Sequence, residues 1–277
     1  MEFIVLADNG TGTNDQKKVA KSMEKLIESN PQISNIIIAG DNIYPEGCIK
    51  LSDNKFDSKF QNPYKNINLP FHLCLGNHDY GYEKDNSQTQ IDYTNSSYNH
   101  NKKWNLPSKW YTKKFQCCEI FFIDTNFDKL TLNEINKQYD FIKNKYKKSK
   151  SKWKILCGHH TLRSIAFHGN AEPQHEEFMN RLYKNKIRFD LYLCGHDHCK
   201  TLIMIGKYKI PTLVIGTGGE NYTDNKLFFN NLKKDNSVLY YFSPNLGVCH
   251  MKCDEISINL TCYNENLIKE YSHTILK

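Results

Sequence analysis

An α/β fold is what the sequence predicts, and three observations carry that prediction. The chain starts with a βαβ pattern: an apolar run at residues 3–7, a stretch with Val19, Ala20, Met23, Leu26 and Ile27 on one helical face, and a second apolar run at 36–39. Three more short apolar runs, at 71–75, 154–157 and 190–194, are too short for buried helices and read as strands. Each of the five runs opens into a polar loop that carries Asp, Asn or His, as sites built at the ends of parallel strands do.

The elements follow in order. Thr13 or Asn14 caps the first helix, and Pro31 follows its end. The loop Asp8-Asn9-Gly10-Thr11-Gly12 lacks the Lys-Ser/Thr ending of a P-loop and does not fit GxGxxG, which argues against nucleotide binding by either motif. Residues 80–100 are polar, rich in tyrosine and without clear periodicity, so they are expected to form loops over the site. Residues 110–115 and 119–124 read as paired strands, followed by a helix over 131–148 with Ile135, Tyr139 and Ile142 on one face. A second helical stretch covers 176–183. From 201 onward the chain reads as mostly β, with strands near 202–205, 212–215, 238–242, 256–263 and 267–273, and a tight loop at Gly216-Thr217-Gly218-Gly219.

Composition sets the outer limits. At 277 residues, with 39% hydrophobic and 13% aromatic residues, the chain can bury a large core and is expected to be one domain, 1–277. A net charge of +7 favours anionic ligands weakly. The densest basic run, 143–154, reads as a solvated helix end, so no nucleic-acid partner is expected. No apolar run approaches the ~18 residues of a membrane span, so no membrane partner is expected either. The N-terminus enters a strand without the features of a secretory signal, which points to a cytoplasmic protein, with secretion as the alternative. Ten scattered cysteines then read as reduced thiols, and Cys249, Cys253 and Cys262 lack the CxxC pair and fourth partner of a metal clip. A monomer is expected.

The chemistry lies in the five loops, which hold Asp8, Asp41 with Tyr44, Asn77 with His78, His159, and His196 with His198. Oxygen and imidazole donors without thiolate suit Fe, Mn or Zn. A carboxylate such as Asp41 can bridge two cations, and a phenolate at Tyr44 favours a trivalent ion.

In sequence order these motifs are Asp-x-Gly, Gly-Asp-x-x-Tyr, Gly-Asn-His-Asp, an apolar stretch ending in Gly-His, and Gly-His-x-His. The set resembles the purple acid phosphatases, a branch of the calcineurin-like metallophosphoesterases, and is most similar to the small tartrate-resistant acid phosphatases. The likeness extends through 103–108, 164–169 and 193–198 and covers nearly the whole chain. It implies a four-layer αββα sandwich of two mixed sheets. It implies a ferric ion held by Asp8, Tyr44 and His198, a divalent ion (Fe, Zn or Mn) held by Asn77, His159 and His196, and Asp41 bridging the two. His78 and His168 would reach the phosphate or its leaving oxygen, with Asp79 orienting His78.

The function implied is acid hydrolysis of phosphomonoesters, small ones or phosphoproteins, by attack of a metal-bound hydroxide without a phosphoenzyme. A neutral-pH Mn or Zn phosphodiesterase and a catalytically silent scaffold are the alternatives. Protein-phosphatase and nuclease branches begin with Asp-x-His and lack the tyrosine, whereas this chain has Gly10 and Tyr44. Two departures stand out. Asn9 replaces the usual tryptophan beside the first ligand, and His160-Thr161 stand where an aromatic and a proline are common. The link from 124 to the helix at 131 is also too short for the long loop that restrains some mammalian members.

Overall fold

The structure is a computed structural model describing residues 1–221 and 226–277. Its first strands in chain order are β1 (Glu2–Leu6), β2 (Ile33–Ile38), β3 (Phe71–Leu73), β4 (Trp104–Asn105), β5 (Tyr111–Lys114), β6 (Cys118–Phe122) and β7 (Trp153–Cys157). Then come β8 (Leu191–Cys194), β9 (Lys200–Ile205), β10 (Ile210–Ile215), β11 (Val238–Ser243), β12 (Gly247–Cys253), β13 (Ser257–Asn264) and β14 (Lys269–Leu276). The helices are α1 (Asn14–Ser29), α2 (Asn54–Phe56, continued by a wider turn at Asp57–Gln61), α3 (Asn77–Tyr80), α4 (Ser87–Tyr93), α5 (Leu132–Lys148) and α6 (Pro173–Lys184).

Two mixed sheets form, in the orders β14-β13-β12-β1-β2-β3-β4 and β11-β9-β10-β8-β7-β6-β5. Strands β1, β2 and β3 run parallel in the first, and β6, β7 and β8 in the second. Alternation within the second sheet shows how the layers stack. Ile120, Phe122, Ile155, Cys157, Leu191 and Leu193 join the core shared with the first sheet, while Phe121, Leu156, Tyr192 and Cys194 pack with Tyr139, Ile142, Phe178 and Leu182 of α5 and α6. Strands covered on both faces read as unbroken apolar runs, which is why they were legible. Helix α1 buries Val19, Ala20, Met23 and Leu26 with the first sheet. This is the expected αββα sandwich.

Local chemistry sets the helix starts. Thr13 accepts from the Gln16 N–H at 3.4 Å. Thr131 and Glu134 form a reciprocal capping box, with bonds of 3.3 and 2.9 Å. Pro173 occupies the first turn of α6, where its missing N–H costs nothing.

One expectation needs correction, and two strands lie outside those expected. The 80–100 stretch contains α4, a polar helix of about two turns whose Gln90 and Ile91 are buried. Trp104–Asn105 extends the parallel edge of the first sheet beside β3. Residues 247–253 form the interior strand β12, antiparallel to β1 and β13.

Hydrogen bonds also join the two sheets at the carboxyl end of β1. The Ala7 N–H donates to the Ile215 carbonyl and the Gly218 N–H to the Ala7 carbonyl, both at 3.0 Å. The 216–219 loop therefore fastens the carboxyl end of β1 to the second sheet. Loops from both sheets meet there.

Candidate metal centre

Each donor sits just past a strand end. Asp8 follows β1 and Asp41 follows β2, both in left-handed backbone conformations (φ +55° and +54°), and His196 after β8 does the same (φ +71°). Such conformations cost a non-glycine residue on the order of 1–3 kcal/mol and cluster at functional sites. They are held by specific bonds: Asp8 N–H to the Gly40 carbonyl at 3.0 Å, and His196 N–H to Asp8 Oδ2 at 2.9 Å. Gly40 lets the His159 ring lie against the backbone, since a Cβ there would stand 2.5 Å from Nδ1. That nitrogen pairs with the Ala39 carbonyl at 2.9 Å, which turns Nε2 toward the carboxylates.

The seven donors converge as two groups that share Asp41. In one, Tyr44 Oη lies 3.1 Å from Asp8 Oδ1, 3.0 Å from Asp41 Oδ2 and 3.2 Å from His198 Nε2. In the other, Asn77 Oδ1 lies 3.1 Å from both His159 Nε2 and His196 Nδ1, and His159 Nε2 is 3.3 Å from Asp41 Oδ2. Asp8, Asp41 and His159 are buried.

The electrostatics fit cations. Burial, then the Asp41 and Asp8 carboxylates, push the Tyr44 phenol well above its ordinary value, so as a phenolate it needs a neighbouring positive charge. Burial disfavours a charged His159, but Asp41 and Asp8 outweigh it and raise the imidazole to about 10. Positive charge is therefore favoured between these carboxylates. Burial and then the neighbouring imidazoles push His196 well below its usual value, leaving it a neutral donor. The oxygen and imidazole set, with no thiolate near it, could hold two hard or borderline ions.

His78 and His168 flank the donors. The His78 ring lies 4.3 Å from the Tyr44 ring, and the His168 ring 3.9 Å from that of His196. Asp197 receives the His168 N–H at 3.3 Å and also bonds Ser164. The expected pairing of Asp79 with His78 is corrected. His78 Nδ1 lies 2.5 Å from the Pro45 carbonyl and 3.3 Å from Tyr82 Oη. Asp79 instead accepts N–H groups from Gly76, Asn42, Ile43 and Gln90, clamping the two loops that carry Asp41, Tyr44 and Asn77. The short α3 turn points its carboxylate into the core, away from the ring one residue earlier.

His160 does join the site's wall, 4.4 Å from the His196 ring with Nδ1 2.8 Å from Thr125 Oγ1. Sequence reasoning missed Asn42, Asp197 and Thr125 as supports. The first two lie inside quoted motifs, while nothing local marks Thr125. All ten cysteines are buried free thiols. Cys249 and Cys262 face each other across β12 and β13, and Cys253 groups instead with Cys117 and Cys118.

Comparisons with known proteins bear on the family. The family model for calcineurin-like phosphoesterase matches residues 1–200. The chain is 30% identical to Purple acid phosphatase 4 of Arabidopsis thaliana, over 79% of this chain and 68% of that protein. It is 29% identical to Tartrate-resistant acid phosphatase type 5 of Sus scrofa, over 72% of this chain and 64% of that one. Among solved structures it is similar to GAP50, described as the anchor in the inner membrane complex of Plasmodium, with TM-score 0.79, 20% identity, and coverage of 100% of this chain and 88% of that one. With the fold, the donor motifs and these relatives in agreement, the chain belongs to the calcineurin-like phosphoesterases, within their purple acid phosphatase branch.

Proposed function

We propose that this protein hydrolyses phosphomonoesters, best in acid, at a centre of Fe(III) paired with a divalent ion (Fe, Zn or Mn). The observation that carries the proposal is the division of seven donors into two groups sharing Asp41. Asp8, Tyr44 and His198 would hold the ferric ion, and Asn77, His159 and His196 the divalent one, with Asp41 between them. Bound there, two cations supply electrophilic activation of the phosphoryl group and acidify water.

The rest falls to the chain. His78 stands beside Tyr44 and His168 beside His196, where a protonated ring could hydrogen-bond a phosphate oxygen or give its proton to the departing alkoxide. The His78 ring is aimed by Pro45 and Tyr82, and the His168 backbone by Asp197. Asp79 and Gly40 keep the ligand loops at their spacing. The substrates proposed are small phosphomonoesters or phosphoproteins, taken by a monomer.

The test is aryl phosphate hydrolysis from pH 4 to 9, on protein reconstituted with iron plus zinc or with manganese, with visible spectra recorded alongside. Acid activity and a purple band that disappears in Tyr44→Phe are expected. A colourless protein active only near neutrality would favour a Mn or Zn phosphodiesterase. No turnover with two metals bound would favour a silent scaffold.

A further inference from the structure

Away from the donor loops, Cys117, Cys118 and Cys253 bring three sulfurs within 4.8 Å of one another. Cys117 lies in the link that joins β5 to β6, Cys118 opens β6 and Cys253 closes β12, so the group spans the two sheets. It stands at the amino end of β6, whereas Thr125, in the wall of the metal centre, lies beyond the carboxyl end; the length of the strand, roughly 16 Å, separates them. Backbone bonds fix each member: the Phe115 N–H donates to the Cys118 carbonyl at 2.8 Å, the Trp153 N–H to the Cys117 carbonyl at 3.1 Å, and the Cys253 N–H to the Met1 carbonyl at 2.9 Å. The thiols are enclosed, Cys117 being 4% exposed and the other two 0%, beside the exposed Gln116 of the same link. An ion held by them would lie between the sulfurs rather than on their outer surface. A point exists no more than about 2.8 Å from all three, against about 2.3 Å for a metal–thiolate bond.

We propose that these three thiols form a second metal site, which takes a soft monovalent cation, Cu(I), and straps the β5–β6 link of one sheet to the end of β12 in the other. The donor set selects the ion. Thiolates without oxygen or imidazole favour Cu(I), zinc and iron–sulfur clusters over the hard ions that suit Asp8, Asp41 and Tyr44. Structural zinc sites and iron–sulfur clusters take four protein ligands, and among the described residues no histidine, carboxylate or fourth thiol joins this group. Trigonal coordination by sulfur is left, which Cu(I) accepts. Cys117 Sγ donates to the Cys253 carbonyl at 3.1 Å; on binding, the ligating thiols exchange their protons for the ion, with release to water and no change of oxidation state.

The test is anaerobic titration of the reduced protein, loaded beforehand with iron and zinc, with Cu(I) in competition with bicinchoninate. One copper per chain is expected, with a copper-edge X-ray absorption spectrum that shows a shell of sulfur and neither oxygen nor nitrogen, and a thermal midpoint that rises as copper is added. Cys117→Ser, in the link between the strands, should cut the affinity by about 100-fold or more and abolish the rise. Because any buried cysteine substitution disturbs the core, Cys249→Ala is the control: it alters another buried thiol of β12 and should leave copper affinity unchanged. Complete removal of copper from the unaltered protein by bicinchoninate, or equal weakening by Cys249→Ala and Cys117→Ser, would overturn the site and leave the three thiols as core packing. Zinc held there in preference to copper would overturn the choice of ion. None of these measurements involves turnover, so the outcome is independent of the phosphatase reading.

Discussion

Replacing Asp79 with asparagine tests whether this buried carboxylate clamps the ligand loops. Its Oδ2 accepts from the Gly76 N–H at 2.8 Å and Asn42 Nδ2 at 2.7 Å, and its Oδ1 from the Ile43 N–H at 3.1 Å and Gln90 Nε2 at 2.9 Å. The Asn42 N–H reaches both oxygens, at 3.0 and 3.2 Å. An asparagine has the same shape, so no cavity forms. Whichever way its amide turns, however, an NH2 faces two buried donors. At about 1–3 kcal/mol for each donor left without an acceptor, the loss is about 2–6 kcal/mol. With an m-value near 3 kcal/mol/M, a loss of ~3 kcal/mol moves the urea midpoint down by about 1 M. The loops that loosen carry Asp41, Tyr44 and Asn77, so metal affinity should fall about 10- to 100-fold as well. Urea unfolding and metal content after dialysis read both effects. A variant that lost turnover while keeping its midpoint and its metals would refute the clamp and restore a role for Asp79 in orienting His78.

Gly195→Ala would place a Cβ 2.3 Å from Asp8 Oδ2 and 2.4 Å from the Ala7 Cβ. Iron affinity should drop about tenfold or more, and an unchanged iron titration would count against close approach as the role of Gly195. Chelation of the metals should lower the thermal midpoint, because Asp8 and Asp41 are buried together with Tyr44; at a hundredfold excess over Kd, bound metal contributes about 2.7 kcal/mol. Calorimetry with and without added metal reads the difference, which should reverse on metal addition. Glu176 supplies a pH prediction. Burial raises its pKa, but Arg163, Tyr208 and Lys207 outweigh that and lower it to about 2, and Asp235 shares the Arg163 guanidinium. A carboxylate lowered on folding stabilises fully above its ordinary value of 4.5 and loses that contribution as pH falls toward 2. The gap in thermal midpoint between the unaltered protein and Glu176→Gln should therefore be constant from pH 7 to about 5 and close below 4.5; a gap that closed already at pH 6 would refute the assignment.

The sequence by itself determined the strands buried on both faces, because their apolar runs need no partner to be recognised. It also determined the metal-ligand candidates, because each lies in a short polar, glycine-containing loop that follows such a run. Tertiary structure decided what those signals could not carry. Helix α4 has little apolar periodicity and is placed by long-range bonds: Gln90 Nε2 reaches Asp79, and the Gln90 carbonyl accepts from Trp104 Nε1 at 2.9 Å. Only pairing with β1 and β13 makes residues 247–253 an interior strand. The direction of the Asp79 carboxylate depends on backbone N–H groups 36 and 37 residues earlier in the chain, which no local pattern records. The His175 ring is enclosed only once α6 packs against Phe127 and Tyr192. Periodicity and motif spacing report a residue's own element; which polar atoms meet across elements is settled by packing, since each buried donor and acceptor must find its partner wherever the fold brings one.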